Sequence, residues 1–196
     1  EKLSELGGDV FIIPALDDIT CLLNLRGGDV LYTPVFLSYL LLERGKATLC
    51  VQREAVSAEI EAHLAADGVA LAPYNDIYAL VAALPQGTRV LLDGECANYR
   101  ITQSVGTGVE TLDRPSPIQL MKAMKHPAEQ ENERIAHIRD GVAVTRFIYW
   151  LKHTIGNEPI TEMSAAKKLE SLRAEGKNFL DQSFEPILSY GAHGAI

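Results

Sequence analysis

Residues 9–51 read DVFIIPALDDITCLLNLRGGDVLYTPVFLSYLLLERGKATLCV, and the reading of this stretch decides the fold. Four short apolar runs, DVFIIPA (9–15), ITCLLNL (19–25), VFLSYLLL (35–42) and KATLCV (46–51), are separated by Asp, Gly and Pro breaks. Short apolar runs bounded by such breaks read as strands, and all four are expected to be strands.

Downstream the pattern changes to alternation. In REAVSAEIEAHLAADG, Val56, Ile60 and Leu64 recur at i, i+4 and i+8, one face of a helix that ends near Gly68. VALAPY then reads as a short strand and IYALVAAL as a short helix. TRVLLD reads as a central strand, because it is apolar on both faces. Strands followed by helix–strand alternation predict an α/β domain, a mixed sheet flanked by helices.

The charge distribution divides the chain. Residues 1–114 carry 16 acidic and 8 basic side chains, a net charge of −8, while residues 115–196 carry 10 of each. The break falls at Asp113-Arg114-Pro115-Ser116-Pro117, where two prolines also interrupt regular structure. Two domains are expected, 1–114 and 115–196. The overall charge of −8 argues against a general nucleic-acid or anionic-membrane binder, which needs a cationic surface. No apolar stretch reaches the roughly 18–20 residues that cross a bilayer. Cys21, Cys50 and Cys96 are odd in number and without CxxC spacing, so buried free thiols in a reducing compartment are expected.

In the second segment Ser116, Pro117 and Gln119 form a good helix start, with a capping hydroxyl and a first-turn proline. A long helix is expected from about Pro127 to Lys152, its early acids Glu129, Glu131 and Glu133 favoured by the helix dipole. Ile135, Ile138, Val142, Phe147 and Leu151 supply an expected buried stripe. A further helix is expected from Thr161 to about Ala174, with Ala165, Leu169 and Leu172 inward, and then a strand at Phe184–Ser189. Two helices and one unpartnered strand do not close a core, so this segment reads as the beginning of something larger, with apolar helix faces left uncovered.

Two places combine reactive side chains with permissive backbone. NLRGGD (24–29) joins two apolar runs and places Arg26 and Asp29 around a double glycine. It reads either as a functional loop or as a tight turn with an Arg–Asp pair. In YGAHGAI (190–196) two glycines bracket His193, which is either presented into a cleft or idle on a frayed turn. His63, His126, His137 and His153 sit on expected helix surfaces or ends, and no HExxH or comparable ligand spacing is present. GxGxxG is absent, and GTGVET (106–111) does not join a strand to a helix, so no phosphate loop is expected.

The stretch ALDDITCLLNLRGGDVLYTPVFLSYLLL (15–42) closely resembles the middle domain of the three-domain Xaa-Pro aminopeptidases. That family's pattern is an acidic pair, an aromatic, a Leu/Phe-Asn-Ile/Leu-Arg-Gly-x-Asp turn and a Tyr-x-Pro-Val-Phe run. The resemblance continues through LLD at 91–93 and Asn98-Tyr99 to SPIQLMKAMKHPAEQENERIAHIRDGVAVTRFIYWL, which is similar to the first helices of the family's pita-bread catalytic domain. TEMSAAKKLESLRAE and FEPILSYGAHGAI resemble the next helix and strand. Two departures stand out. Cys21 replaces the usual aromatic, and His193 stands where the family often has Asn.

The resemblance implies a creatinase/prolidase N-terminal-like domain, followed by the first helices and strand of an incomplete pita-bread (α+β) domain. It implies a cytoplasmic metallopeptidase parent, acting on peptides with proline second and using two divalent ions, usually manganese. The family's metal ligands, two aspartates, a histidine and two glutamates, match no position here. The chain is therefore expected to be an inactive fragment without catalytic or metal-binding residues, cut through the first strand of the catalytic domain. Asn24, Arg26, Asp29 and His193 remain candidates for substrate-binding or domain-interface roles. A homodimer or a complementing chain is the expected partner. The alternative is a non-catalytic pita-bread homologue acting as a peptide- or protein-binding module.

Overall fold

The computed structural model describes residues 2–195. It divides into two compact units, one containing the chain up to Val30 and Pro34–Met124, the other Leu31–Thr33 and the chain from Lys125 onward.

In the first unit the elements follow as α1 (Lys2–Glu5), β1 (Val10–Ile13), α2 (Leu16–Leu23), β2 (Ser38–Glu43), β3 (Lys46–Val51), α3 (Ala58–Ala66), β4 (Val69–Pro73), α4 (Ile77–Ala82), β5 (Arg89–Leu92), α5 (Tyr99–Ser104), β6 (Glu110–Asp113) and α6 (Pro117–Ala123). The strands form one mixed six-stranded sheet in the order β4-β3-β2-β1-β5-β6. β2 runs antiparallel to both β1 and β3, while β1–β5, β3–β4 and β5–β6 are parallel. As expected, TRVLLD forms an interior strand. Arg89 donates from Nε and Nη2 to the two carboxylate oxygens of Asp9, at 3.2 and 3.3 Å, which pins the starts of β1 and β5 together.

Alternation along the strands sorts side chains onto two faces. Phe11, Ile13, Leu40, Leu49 and Leu91 point to a core that Ile19 of α2, Leu64 of α3 and Ile118 of α6 cover. Val10, Ile12, Tyr39, Leu41, Val90 and Leu92 point to the opposite core, closed by Ile77 and Val81 of α4 and Ile101 of α5. At roughly 1.5–3 kcal/mol for each fully buried aliphatic side chain, this two-sided burial is the main stabilising term.

The run at 19–25 corrects the sequence reading. It is not a strand but most of α2, whose buried residues are Asp18, Ile19 and Thr20. Asp17 and Asp18 lie in its first turn, where the helix dipole favours acids. Asn24 ends it in the left-handed region at φ 50°, a conformation that asparagine tolerates better than most residues. The cysteines also differ from expectation: all three are free, but only Cys50 is buried and Cys21 and Cys96 are exposed.

The second unit is built on α7 (Pro127–Thr154) and α8 (Glu162–Ala174). Arg173 pairs with Asp140 at 2.7 Å and Arg146 with Glu175 at 2.5 Å, so the end of α8 lies beside the middle of α7. Ala143, Ala165 and Leu172 are buried between them. The expected stripe on α7 is not buried as a whole: Ile138 is 68% and Val142 55% exposed. Nor is Phe184–Ser189 a strand. It is irregular, with Phe184 and Ile187 exposed, because a strand forms only against a partner and none of the described residues offers one.

The units divide at Met124–Lys125 and not at the compositional break after Arg114. The reason is α6. Ile118 sits in the first unit's core and Ser116 is bonded to it, so the segment after the prolines folds with the sheet.

Candidate functional site

The NLRGGD turn follows α2. Leu25 N–H donates to Thr20 O and Asn24 N–H to Cys21 O, closing the helix end. Arg26 lies over the same end and donates from Nη1 to Leu25 O at 2.7 Å and to Thr20 O at 3.2 Å. A guanidinium there adds a second donor to Thr20 O, caps a carbonyl just past the helix and suits the negative end of its dipole. Asp29 turns the other way and accepts from Leu37 N–H at 2.8 Å, while Gly27 and Asp29 N–H donate to Pro34 O and Val35 O. Gly27 packs against Phe36 so closely that an added Cβ would sit 2.6 Å from Phe36 Cβ.

The Arg26–Asp29 ion pair of the tight-turn reading is therefore not formed, since each side chain is engaged with backbone. The turn borders a hollow of about 190 Å³ lined by Leu25, Phe36, Leu49, Val56, Ile60 and Leu64, with Arg26 and Asp29 at its rim. The exposed side chains of Asn24, Arg26 and Asp29 are compatible with contact to another surface. Their own bonds are those of a shaped loop.

Sequence reading missed a fully buried carboxylate. Asp18 is fully buried and accepts from Ser116 Oγ at 2.5 Å and from Lys122 Nζ at 3.1 Å. Asp93, at the carboxyl end of β5, accepts from Ser116 N–H at 3.1 Å, and Lys122 also pairs with Asp17. Burial alone would lower the Lys122 pKa, but its bonds to Asp17 and Asp18 outweigh that and raise it. The available signal was an acid beside Ile19 in an amphipathic run, which only the helical reading of that run places inward.

On the other core, Tyr39 is held by burial and by Tyr74 and Tyr78 in its neutral form, its pKa pushed far above the ordinary phenol value. Its hydroxyl accepts from Asn98 Nδ2 at 2.8 Å, and the Arg100 guanidinium lies 4.0 Å over the Tyr78 ring.

His193 lies in the second unit on a 3₁₀ turn, Gly191–Gly194. It is neither frayed nor free. Its Nδ1 is 3.0 Å from both carboxylate oxygens of Glu162, in the first turn of α8. Glu162 also accepts from Tyr190 N–H at 2.7 Å. That backbone bond, and then the imidazole, hold the Glu162 carboxyl below its ordinary pKa. A cavity of about 570 Å³ adjoins the pair, lined by Leu151, Ile155, Ile160, Ala165, Leu188 and Tyr190 among others. The other histidines make local contacts: His137 and His153 each approach a carbonyl one turn back, and His63 faces Asp67 at 3.8 Å.

A metal centre needs at least three or four converging ligands. Among the described residues no group of three His, Cys, Asp or Glu side chains is placed to hold an ion. The His193–Glu162 pair supplies two residues, and they are turned toward each other. The described residues do not fit a two-metal centre. No helix among them is long and apolar enough to cross a membrane.

Comparison with known proteins agrees with this architecture. Residues 1–129 match the model of the creatinase/prolidase N-terminal domain, which runs through α6 into the start of α7. Along 100% of its length the chain is 34% identical to a probable Xaa-Pro aminopeptidase P of Paracoccidioides brasiliensis and 36% identical to that of Sclerotinia sclerotiorum. It spans 35% and 34% of those relatives. A solved X-prolyl aminopeptidase from Caenorhabditis elegans, described as a cytosolic enzyme with a di-nuclear active site, superposes with TM-score 0.84 at 28% identity, over 93% of this chain and 31% of that one. With its six-stranded mixed sheet and a family match covering that sheet and all the helices on it, the chain belongs to the creatinase/prolidase N-terminal domain family and has Xaa-Pro aminopeptidase P homologues along its whole length.

Proposed function

We propose that this chain is part of a metal-dependent Xaa-Pro aminopeptidase that releases the residue preceding a proline at a peptide's N-terminus. The single observation that carries the reading is the continuity of the likeness to Xaa-Pro aminopeptidases across both compact units. Residues 1–114 act as the middle domain and residues 115–196 as the opening of a pita-bread catalytic domain. Helix α6 folds with the former although it follows the prolines.

The division of labour follows from the side chains. The first unit offers a closed core and a rigid loop at Asn24–Asp29, suited to framing a substrate channel or a domain interface. The second presents His193, oriented by Glu162, beside a cavity. The metal ions, manganese by family resemblance, are held by residues of the parent protein other than those described. A cytoplasmic location is supported by the description of the C. elegans enzyme. The exposed Ile138, Val142, Phe184 and Ile187 support cover by further polypeptide, from the same parent, a second copy or a complementing chain.

The test pairs the 196-residue polypeptide with its full-length parent. Both are supplied with manganese and a proline-second peptide, and release of the first residue is followed. The parent is expected to turn over and to lose activity to a chelator, while the polypeptide alone shows neither turnover nor paired manganese binding. Measurable turnover by the polypeptide alone would sink the division of labour. A metal-loaded parent with no hydrolysis would favour a binding module instead.

A further inference from the structure

We propose that α6 is a latched strap, held on the first unit by a clasp in which the Asp18 carboxylate grips both ends of the helix at once. Ser116, the residue before the helix, donates its hydroxyl to one Asp18 oxygen at 2.5 Å, and Lys122 in the last turn reaches the other at 3.1 Å. Asp93 takes the Ser116 N–H from the side of the sheet. These groups lie at the carboxyl ends of the parallel strands β1, β5 and β6, the position where open α/β sheets commonly receive ligands. Here the chain's own connecting segment occupies it.

Polar contacts are central to this docking because α6 has little apolar adhesion. Ile118 is 5% exposed and sits in the core, but Leu120 and Met124 are 67% and 66% exposed. A helix this short does not persist in water by itself. Its backbone protection therefore reports docking and not intrinsic helicity. With the clasp closed, Pro117–Ala123 is regular structure belonging to the first unit, and only residues 124–126 separate it from α7. The strap is a two-state element. Latched, it continues the first unit; unlatched, it is a solvated, unstructured segment.

Amide hydrogen exchange on the whole 196-residue chain tests this. The probes are Gln119 and Met124, whose N–H groups are bonded within α6, against Ile12 and Leu40 in the sheet. Asp18→Asn and Lys122→Met are each expected to speed exchange in α6 by about tenfold or more while the sheet amides keep their rates. Lys122 is only half-buried, against the full burial of Asp18, so Lys122→Met keeps the test usable if the Asp18→Asn change prevents folding. The proposal is overturned if Lys122→Met leaves α6 exchange unchanged, if α6 and sheet amides accelerate together, or if the α6 amides are already unprotected in the wild-type chain.

Discussion

The Ser116 hydroxyl and the Asp18 carboxylate meet at 2.5 Å although they stand 98 positions apart in the sequence. Asp18 is fully buried and Ser116 6% exposed, so neither group can exchange this bond for water. Replacing Ser116 with Ala removes a donor from a buried carboxylate and also the acceptor of the Ile118 N–H. Ser116→Ala is expected to cost about 1–3 kcal/mol. Amide exchange in the Ser116→Ala variant would show this as faster exchange at Gln119 and Met124 with the sheet amides unchanged, and unaltered exchange at those two amides would contradict it.

The two glycines of the turn behave differently on substitution. At Gly27 an added methyl meets Phe36 Cβ at 2.6 Å and Val35 O at 3.0 Å, atoms that the backbone holds in place. Gly27→Ala is expected to destabilise by about 1–3 kcal/mol. At Gly28 nothing lies within 4 Å and the residue is not among the positive-φ glycines, so Gly28→Ala is expected to be neutral or to stabilise by about 0.4–1 kcal/mol. Thermal melts of the two variants measure the contrast, and equal effects would refute the packing argument.

Acid should release the His193 turn. The Glu162 pKa is depressed in the folded chain, so its contribution is present above the unfolded carboxylate value, about 4.3, and is lost as pH falls through the folded value. The Tyr190 amide resonance, followed by NMR, is expected to titrate with a midpoint below about 4.3. A midpoint above that value would mean that the Tyr190 and His193 contacts do not favour the carboxylate.

Exposure on α7 predicts an unusual tolerance. Ile138, at 68% exposed, should accept Gln with a stability change within about 0.5 kcal/mol. Leu172, buried against α7, should cost about 2–5 kcal/mol on change to Ala. Far-UV circular dichroism melts distinguish the two. A large loss at Ile138 would show that its face is covered in solution by something beyond the residues described.

Much of the sheet was legible in the sequence. DVFIIPA, VFLSYLLL, KATLCV and TRVLLD each contain an interior strand, whose two covered faces leave an unbroken apolar run, and VALAPY contains the edge strand β4. ITCLLNL misled for the same reason: with Asp17 and Asp18 left outside the run, its helical period disappears. The candidate loop was visible through its glycines, but the fate of Arg26 and Asp29 was not. Each bonds to backbone, and residue spacing carries no record of which carbonyl or amide a side chain will meet. His193 was visible and Glu162 was not, since the pair is assembled across 31 positions. Phe184–Ser189 failed as a strand because propensity supplies no partner.

The strand order also dictates a timetable for assembly. β2 and β3 are joined by Arg44 and Gly45 alone and pair Glu43 with Lys46, so their hairpin closes a very small loop. β1 meets β5 by matching Val10 with Val90, which requires most of the first unit to have been laid down between them. Loop-closure entropy grows with that separation, and local pairings gain free energy before distant ones can. The hairpin and β4 should therefore be structured in the folding transition state, with β5, β6 and the Asp9–Arg89 bridge added late. Substitutions at Leu49 would then slow folding, and substitutions at Leu91 would chiefly speed unfolding.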